Sequence, residues 1–255
     1  MSWNPDQYLK FSAPRLRPAL DLLAAVPATQ PGNVYDLGCG PGNVTRLLAQ
    51  RWPQAGVTGV DDSAAMLAKA AADPGGVRWV LRSLADWRAE HPADVIYSNA
   101  ALHWLPGHAQ LFPALLAQLA PGGVLAVQMP RNFGAPSHTL IADTVRTGAW
   151  CARLEALLQP SPVAAPETYY DMLAPLAARL DIWETEYLQV LEGPDPVKEW
   201  TKGTWLKQFL DALEEPERSA FEADYAARVR AAYPARADGK TLFPFRRLFM
   251  VAVAR

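Results

Sequence analysis

The chain has 255 residues, half of them hydrophobic and a fifth charged, and its 24 basic and 26 acidic side chains leave a formal charge of −2. That length admits one or two domains, and that balance supports a buried core, which excludes a disordered, collagen-like or coiled-coil chain. No basic excess or like-charge block is present, so no nucleic-acid partner is expected. The two cysteines, Cys39 and Cys151, do not make a disulfide framework and fit a reduced, cytoplasmic setting. The opening MSWNPDQYLKF does not read as a signal peptide, and no apolar run approaches the roughly 18 residues of a membrane span, so no membrane partner is expected.

In chain order, residues 15–26 carry apolar side chains at helical spacing, and Pro27 stops them. NVYDL at 33–37 reads as a short buried strand that runs directly into Gly38-Cys39-Gly40-Pro41-Gly42. An amphipathic helix follows, capped near Asn43 and ending before Pro53. GVTGV at 56–60 is a second strand, and the helix SAAMLAKAAA takes Ser63 as its cap. VRWVL at 77–81, ADVIYSNA at 93–100 and GGVLAVQMP at 122–130 are further strands, with HAQLFPALLAQLA a helix between the last two. Short strands alternating with helices predict a parallel sheet covered on both faces, with ligands at the carboxyl ends of the strands. Beyond residue 136 the pattern is helical over 137–178, strand-like over 181–191, helical over 195–233, and an apolar strand again over 247–255. The expected organisation is one domain, 1–255. It has a cofactor-binding core (1–136), a helical cap (137–178 and 195–240), and closing strands at 181–191 and 247–255.

The segment Asp36 to Gly42 is the strongest local signal. Glycines at alternate positions allow positive φ and close approach of a ligand, at a helix start where free N–H groups gather. The spacing is G-x-G-x-G, not the G-x-G-x-x-G of a dinucleotide fold, and Asp36 would repel a phosphate. A ligand with a cationic amino-acid end suits that acid better. Asp61, at the end of the second strand, is placed to accept both ribose hydroxyls of an adenosine, or else to cap the next helix.

VYDLGCGPGNVTRLLAQRWP, GVTGVDDSAAML, ADVIYSNAALHWLPGH and LAPGGVLAVQMP, in this order, resemble the class I S-adenosylmethionine-dependent methyltransferases. SWNPDQYLKFSAPRLRPALDLLAAVP, QMPRNFGAPSH and DGKTLFPFRRLFMVA narrow the resemblance to the trans-aconitate 2-methyltransferase family, which esterifies a carboxylate of a small tricarboxylate. The resemblance implies a Rossmann-like α/β fold, with a mostly parallel seven-stranded sheet, an antiparallel last strand and a helical cap. It also implies S-adenosyl-L-methionine as cofactor and S-adenosyl-L-homocysteine as product. Asp36, Gly38, Gly40 and Gly42 would hold the methionine end, and Asp61 the ribose, with Asp62 and Met66 near the adenine. Relatives usually carry an acid after the third strand; here Arg82-Ser83-Leu84 stands there, leaving Ser83 and Leu84 to meet the adenine. Asn99 would lie under the sulfonium end, and Tyr8 and Arg15 would close over it.

A carboxylate has an ordinary pKa near 4, so it is ionised at neutral pH and needs no general base. What a tricarboxylate needs is cationic and hydrogen-bonding partners, for which arginine forks are suited. The candidates are Arg131, His138, Lys240, Arg246 and Arg247, with His103 and Trp104 facing the transfer site. No metal is expected, since the four histidines lack zinc-site spacing. Another small acid or small molecule as acceptor, an NAD-dependent reductase, and a non-catalytic cofactor-binding module are the alternative readings. The sequence does not choose the carboxylate esterified or an oligomeric state.

Overall fold

The computed structural model describes residues 12–73 and 75–255. Seven strands form one sheet: β1 (Asn33–Leu37), β2 (Gly56–Asp61), β3 (Arg78–Leu81), β4 (Ala93–Asn99), β5 (Leu119–Pro130), β6 (Ala177–Leu191) and β7 (Thr241–Ala254). Their order is β3-β2-β1-β4-β5-β7-β6. β1 to β5 pair in parallel, and β7 runs antiparallel to β5, as expected for the class I methyltransferase fold. The order reverses between β1 and β4, which places a ligand crevice at the carboxyl ends of these two strands.

The chain groups into two compact units. One comprises residues 15–130, 162–185 and 247–255, and the other is chiefly 131–161 and 186–246. In the first, β1, β4 and residues 123–129 of β5 are almost wholly buried, as the apolar runs of strands covered on both faces should be. Helix α1 (Ser12–Ala25) packs Ala19, Leu22 and Leu23 into this core, and the Tyr97 hydroxyl of β4 donates to the Ala19 carbonyl at 2.6 Å. Arg51, the last residue of α2 (Asn43–Arg51), donates to the carbonyls of Leu23 and Val26 at 2.5 and 3.0 Å. It thereby reinforces the end of α1, where the Leu23 carbonyl also accepts the Val26 N–H at 3.1 Å. Asp94 ties the start of β1 to β4 by accepting the N–H groups of Gly32 and Asn33, each at 2.8 Å.

Most elements fall where the sequence places them, with four local differences. Gly42, left-handed with φ 80°, is the N-cap of α2 in place of Asn43, and no side chain caps that helix. Helix α3 (Ala64–Ala71) does use Ser63, whose hydroxyl accepts the Met66 N–H at 3.3 Å. The last strand starts at Thr241, not 247, and β6 starts at Ala177, not 181; β6 and β7 are neighbours in the sheet. Helix α4 (His108–Leu116) stops before the expected end because residues from Leu119 already pair with β4.

The helical stretches resolve into α5 (Pro136–Thr147), α6 (Cys151–Leu154), α7 (Pro166–Leu173), α8 (Pro196–Lys202), α9 (Lys207–Asp211) and α10 (Glu217–Ala232). Within the second unit, Trp150, Trp200, Phe209, Phe221, Tyr225 and Phe243 form an apolar core of its own. Helix α7 belongs to the first unit, where its Tyr169 hydroxyl lies 2.7 Å from His108 Nδ1 on α4. No helix of the described residues is long and apolar enough to cross a membrane.

Candidate active site

The loop after β1 is pinned from below: the N–H groups of Gly38 and Cys39 both donate to the Val60 carbonyl, at 2.8 and 3.1 Å. Its three glycines all have positive φ, but they serve different ends. A Cβ on Gly38 would stand 2.1 Å from the Ala101 Cβ, and one on Gly42 would stand 2.4 Å from the Trp79 ring, so both are needed for packing. A Cβ on Gly40 would meet nothing within 4 Å. Gly40 therefore leaves open space where a ligand can reach the backbone.

Two acids frame this opening. Asp61 at the end of β2 accepts the Gly40 N–H at 2.8 Å and the Ser63 N–H at 2.9 Å, and partial burial raises its pKa. Asp36 on β1 is buried and accepts from the Thr45 hydroxyl at 2.6 Å. Burial, reinforced by the charge of Asp61, pushes the Asp36 carboxyl up to about 7 against the counteracting hydrogen bond from Thr45. Burial and the same two acids also raise the Cys39 thiol, so it stays protonated and is a packing group, not a nucleophile. A buried acid awaiting a counter-charge, a carboxylate at the strand end and an open glycine fit the ammonium, ribose and backbone contacts of S-adenosylmethionine.

Around this frame, Met66 is buried on α3 and Asp62 is exposed. Ser83 is exposed as well, and its hydroxyl accepts the Ala85 N–H at 3.3 Å, making its own turn. Leu84 reaches in toward Gly38. Tyr8 lies outside the described residues, as does the side chain of Arg15 on α1.

At the ends of β4 and β5, Asn99 stands opposite Gln128 in the parallel register. Ala100 follows with φ 54°, a left-handed conformation that costs a non-glycine residue about 1–2 kcal/mol, and its N–H donates to the Gln128 carbonyl at 2.9 Å. Strain of this kind collects at functional sites. His103 is buried, with its ring 4.6 Å from that of Trp104, which is itself 43% exposed. Arg247 on β7 is buried and donates through Nη1 to Gln128 Oε1 at 3.3 Å. Gln128 was missed in the sequence, although a lone amide within the apolar run GGVLAVQMP was the available signal.

The remaining candidates belong to the second unit. Arg131 donates its N–H to the Arg246 carbonyl at 2.9 Å, and the Arg246 N–H donates to Asn132 Oδ1 at 3.3 Å. The Arg246 side chain is half exposed with Glu186 3.9 Å away, and Lys240 pairs with Glu192 at 3.0 Å. Consecutive residues of a strand leave opposite faces, so the Arg246 and Arg247 side chains leave β7 in opposite directions. His138 lies among the rings of Phe133 and Trp205, with Nδ1 3.1 Å from the Ser137 hydroxyl. Desolvation pushes its pKa down to about 4, so it is neutral near pH 7. It can offer an anion a hydrogen bond but not a positive charge.

Comparison with known proteins identifies the family. Residues 34–123 match the methyltransferase domain family. The chain is 51% identical to the trans-aconitate 2-methyltransferase of Azoarcus sp. (strain BH72) over 99% of both chains. It is 48% identical to that of Rhodopseudomonas palustris (strain BisB18) over 98% of both. In fold it resembles the phosphoethanolamine N-methyltransferase 2 of Haemonchus contortus in complex with S-adenosylhomocysteine, at a TM-score of 0.55 and 14% identity. That match covers 94% of this chain and 53% of the other, so the chain spans about half of that enzyme. With the glycine loop, the two acids and full-length identity in agreement, the chain belongs to the trans-aconitate 2-methyltransferase family and is an S-adenosylmethionine-dependent methyltransferase.

Proposed function

We propose that this enzyme methylates a carboxylate of trans-aconitate to a monomethyl ester. The observation that carries the reading is the 51% identity, over 99% of both chains, to a trans-aconitate 2-methyltransferase. The site chemistry supports it. Besides the two acids of the cofactor frame, the polar side chains at the ends of β4, β5 and β7 in this unit include amides, an imidazole and a guanidinium: Asn99, Gln128, His103 and Arg247. Such a set suits an anionic acceptor that arrives ionised and needs no proton removed.

When bound, S-adenosylmethionine would supply a methyl group on a sulfonium, to be taken by an acceptor oxygen as the carbon–sulfur bond breaks and its electron pair stays on the sulfur of S-adenosylhomocysteine. Asp36 and the glycine loop hold the amino-acid end, Asp61 accepts from the ribose, and Met66, Asp62, Ser83 and Leu84 border the adenine. Asn99, His103 and Trp104 border the transfer position, where the protein's work is alignment of the reacting atoms. Arg131, His138, Arg246 and Arg247 are the acceptor-binding candidates, His138 as a neutral hydrogen-bonding group.

The test is transfer from labelled S-adenosylmethionine to trans-aconitate, cis-aconitate, citrate and isocitrate in parallel. Label in a base-labile monoester of trans-aconitate is expected. Label in another acid alone would replace the acceptor and keep the enzyme class.

A further inference from the structure

One face of the sheet carries a row of polar side chains that local pattern does not explain. Asp36, Tyr97 and Ala126 are in register across β1, β4 and β5, so their side chains leave the same face. Two residues further along, Asn99 and Gln128 lie on that face too, and β7 brings Phe249 opposite Gln128, with Arg247 two residues away. Asp36, Asn99, Gln128 and Arg247 thus follow one another across four strands of an otherwise apolar surface, toward the carboxyl ends where β4 and β5 finish.

Gln128 is fully buried, and its two amide atoms are in different situations. The guanidinium of Arg247 carries donors only, so the atom it faces must be the carbonyl oxygen Oε1. That fixes the amide orientation on chemical grounds and leaves Nε2 as the other end. Nε2 is buried and has no hydrogen-bond partner among the described residues, and the neighbouring Asn99 Oδ1 is likewise buried and unpartnered. A buried donor without an acceptor costs about 1–3 kcal/mol, so its persistence calls for a reason.

We propose that the Gln128 carboxamide, held by Arg247 through its oxygen, donates through Nε2 to a carboxylate of the acceptor acid. The substrate oxygen would supply the acceptor that Nε2 does not find within the protein, and Arg247 supplies positive charge beside it. The amide is neutral and a far weaker nucleophile than a carboxylate, whereas a carboxylate at position 128 would be both repulsive to the substrate and a rival nucleophile. The assignment rests on the acceptor reading above.

The test compares wild type, Gln128→Glu and Gln128→Leu. Gln128→Glu keeps an acceptor for Arg247 while removing the donor, and Gln128→Leu removes both in a similar volume. Steady-state kinetics with trans-aconitate, S-adenosylhomocysteine affinity by calorimetry and Tm are measured for each. The expected result is a KM for trans-aconitate raised at least about tenfold in both variants, kcat changed much less, and S-adenosylhomocysteine affinity within about threefold of wild type. In calorimetry with S-adenosylhomocysteine present, trans-aconitate should bind wild type and lose at least about tenfold in Gln128→Glu. An unchanged KM in a folded variant, or a lowered Tm with KM intact, would overturn the assignment and make Gln128 a packing residue. A wild type that neither binds nor methylates trans-aconitate would overturn the acceptor reading and the assignment together.

Discussion

The carboxylate of Asp61 and the backbone N–H of Gly40 are joined at 2.8 Å, so the acid assigned to the ribose also holds the glycine loop in place. Its other oxygen accepts the Ser63 N–H at 2.9 Å, which ties the loop, the end of β2 and the start of α3 to one side chain. Asp61→Ala should therefore lower S-adenosylhomocysteine affinity by at least about tenfold and also lower stability by about 1–3 kcal/mol, since two N–H groups lose an acceptor. Asp61→Asn keeps one amide oxygen and should lose less stability while still binding weakly. Calorimetry and thermal melts on both variants separate the two roles, and unchanged affinity in Asp61→Ala would remove this acid from the site.

The loop glycines predict two distinct phenotypes. Gly40→Ala meets no atom within 4 Å and bears only the positive φ, about 1–2 kcal/mol, so the variant should fold and yet bind cofactor poorly. Gly38→Ala adds a 2.1 Å clash with Ala101 and should lose markedly more stability. Equal Tm values for the two would contradict this division.

Asp36 makes cofactor binding depend on pH. Its folded-state pKa of about 7 stands above the ordinary 3.8, so the folded protein holds an excess proton between these values and the group's contribution to stability falls as pH rises through that window. The cofactor's ammonium prefers the ionised acid. Affinity for S-adenosylhomocysteine should therefore rise with pH up to about 7, by as much as about tenfold per unit, and level off above. Asp36→Asn should flatten the profile, and a wild-type profile flat from pH 5.5 to 8 would rule the coupling out.

His138 acts in the opposite sense. Its folded-state pKa of about 4 lies below the ordinary 6.5, so the unfolded chain binds more protons between them and stability is lost as pH falls from 6.5 toward 4. Wild type should lose on the order of 1–2 kcal/mol more than His138→Gln between pH 7.5 and pH 5. Asp36 is present in both proteins, so its opposing effect cancels in the difference. Identical acid slopes in urea unfolding would place the imidazole in a solvated setting instead.

The sequence by itself determined the strands β1 to β5, the Ser63 cap, the glycine loop and the acid at the end of β2. Each is written within a few neighbouring residues: alternation or continuity of apolar side chains, a hydroxyl before a helix, glycines where φ turns positive. The tertiary structure alone decided that Asp36 is desolvated and that Asp61 reaches back 21 positions to Gly40. It also decided that His138 is neutral, and that of two adjacent arginines one is buried on Gln128 while the other faces Glu186. The extra length of β6 and β7 is of the same kind, since a strand end is stabilised by a partner distant in sequence. Protonation, burial and hydrogen-bond pairing depend on which side chains the fold brings within a few ångströms, and that information is spread over the whole chain.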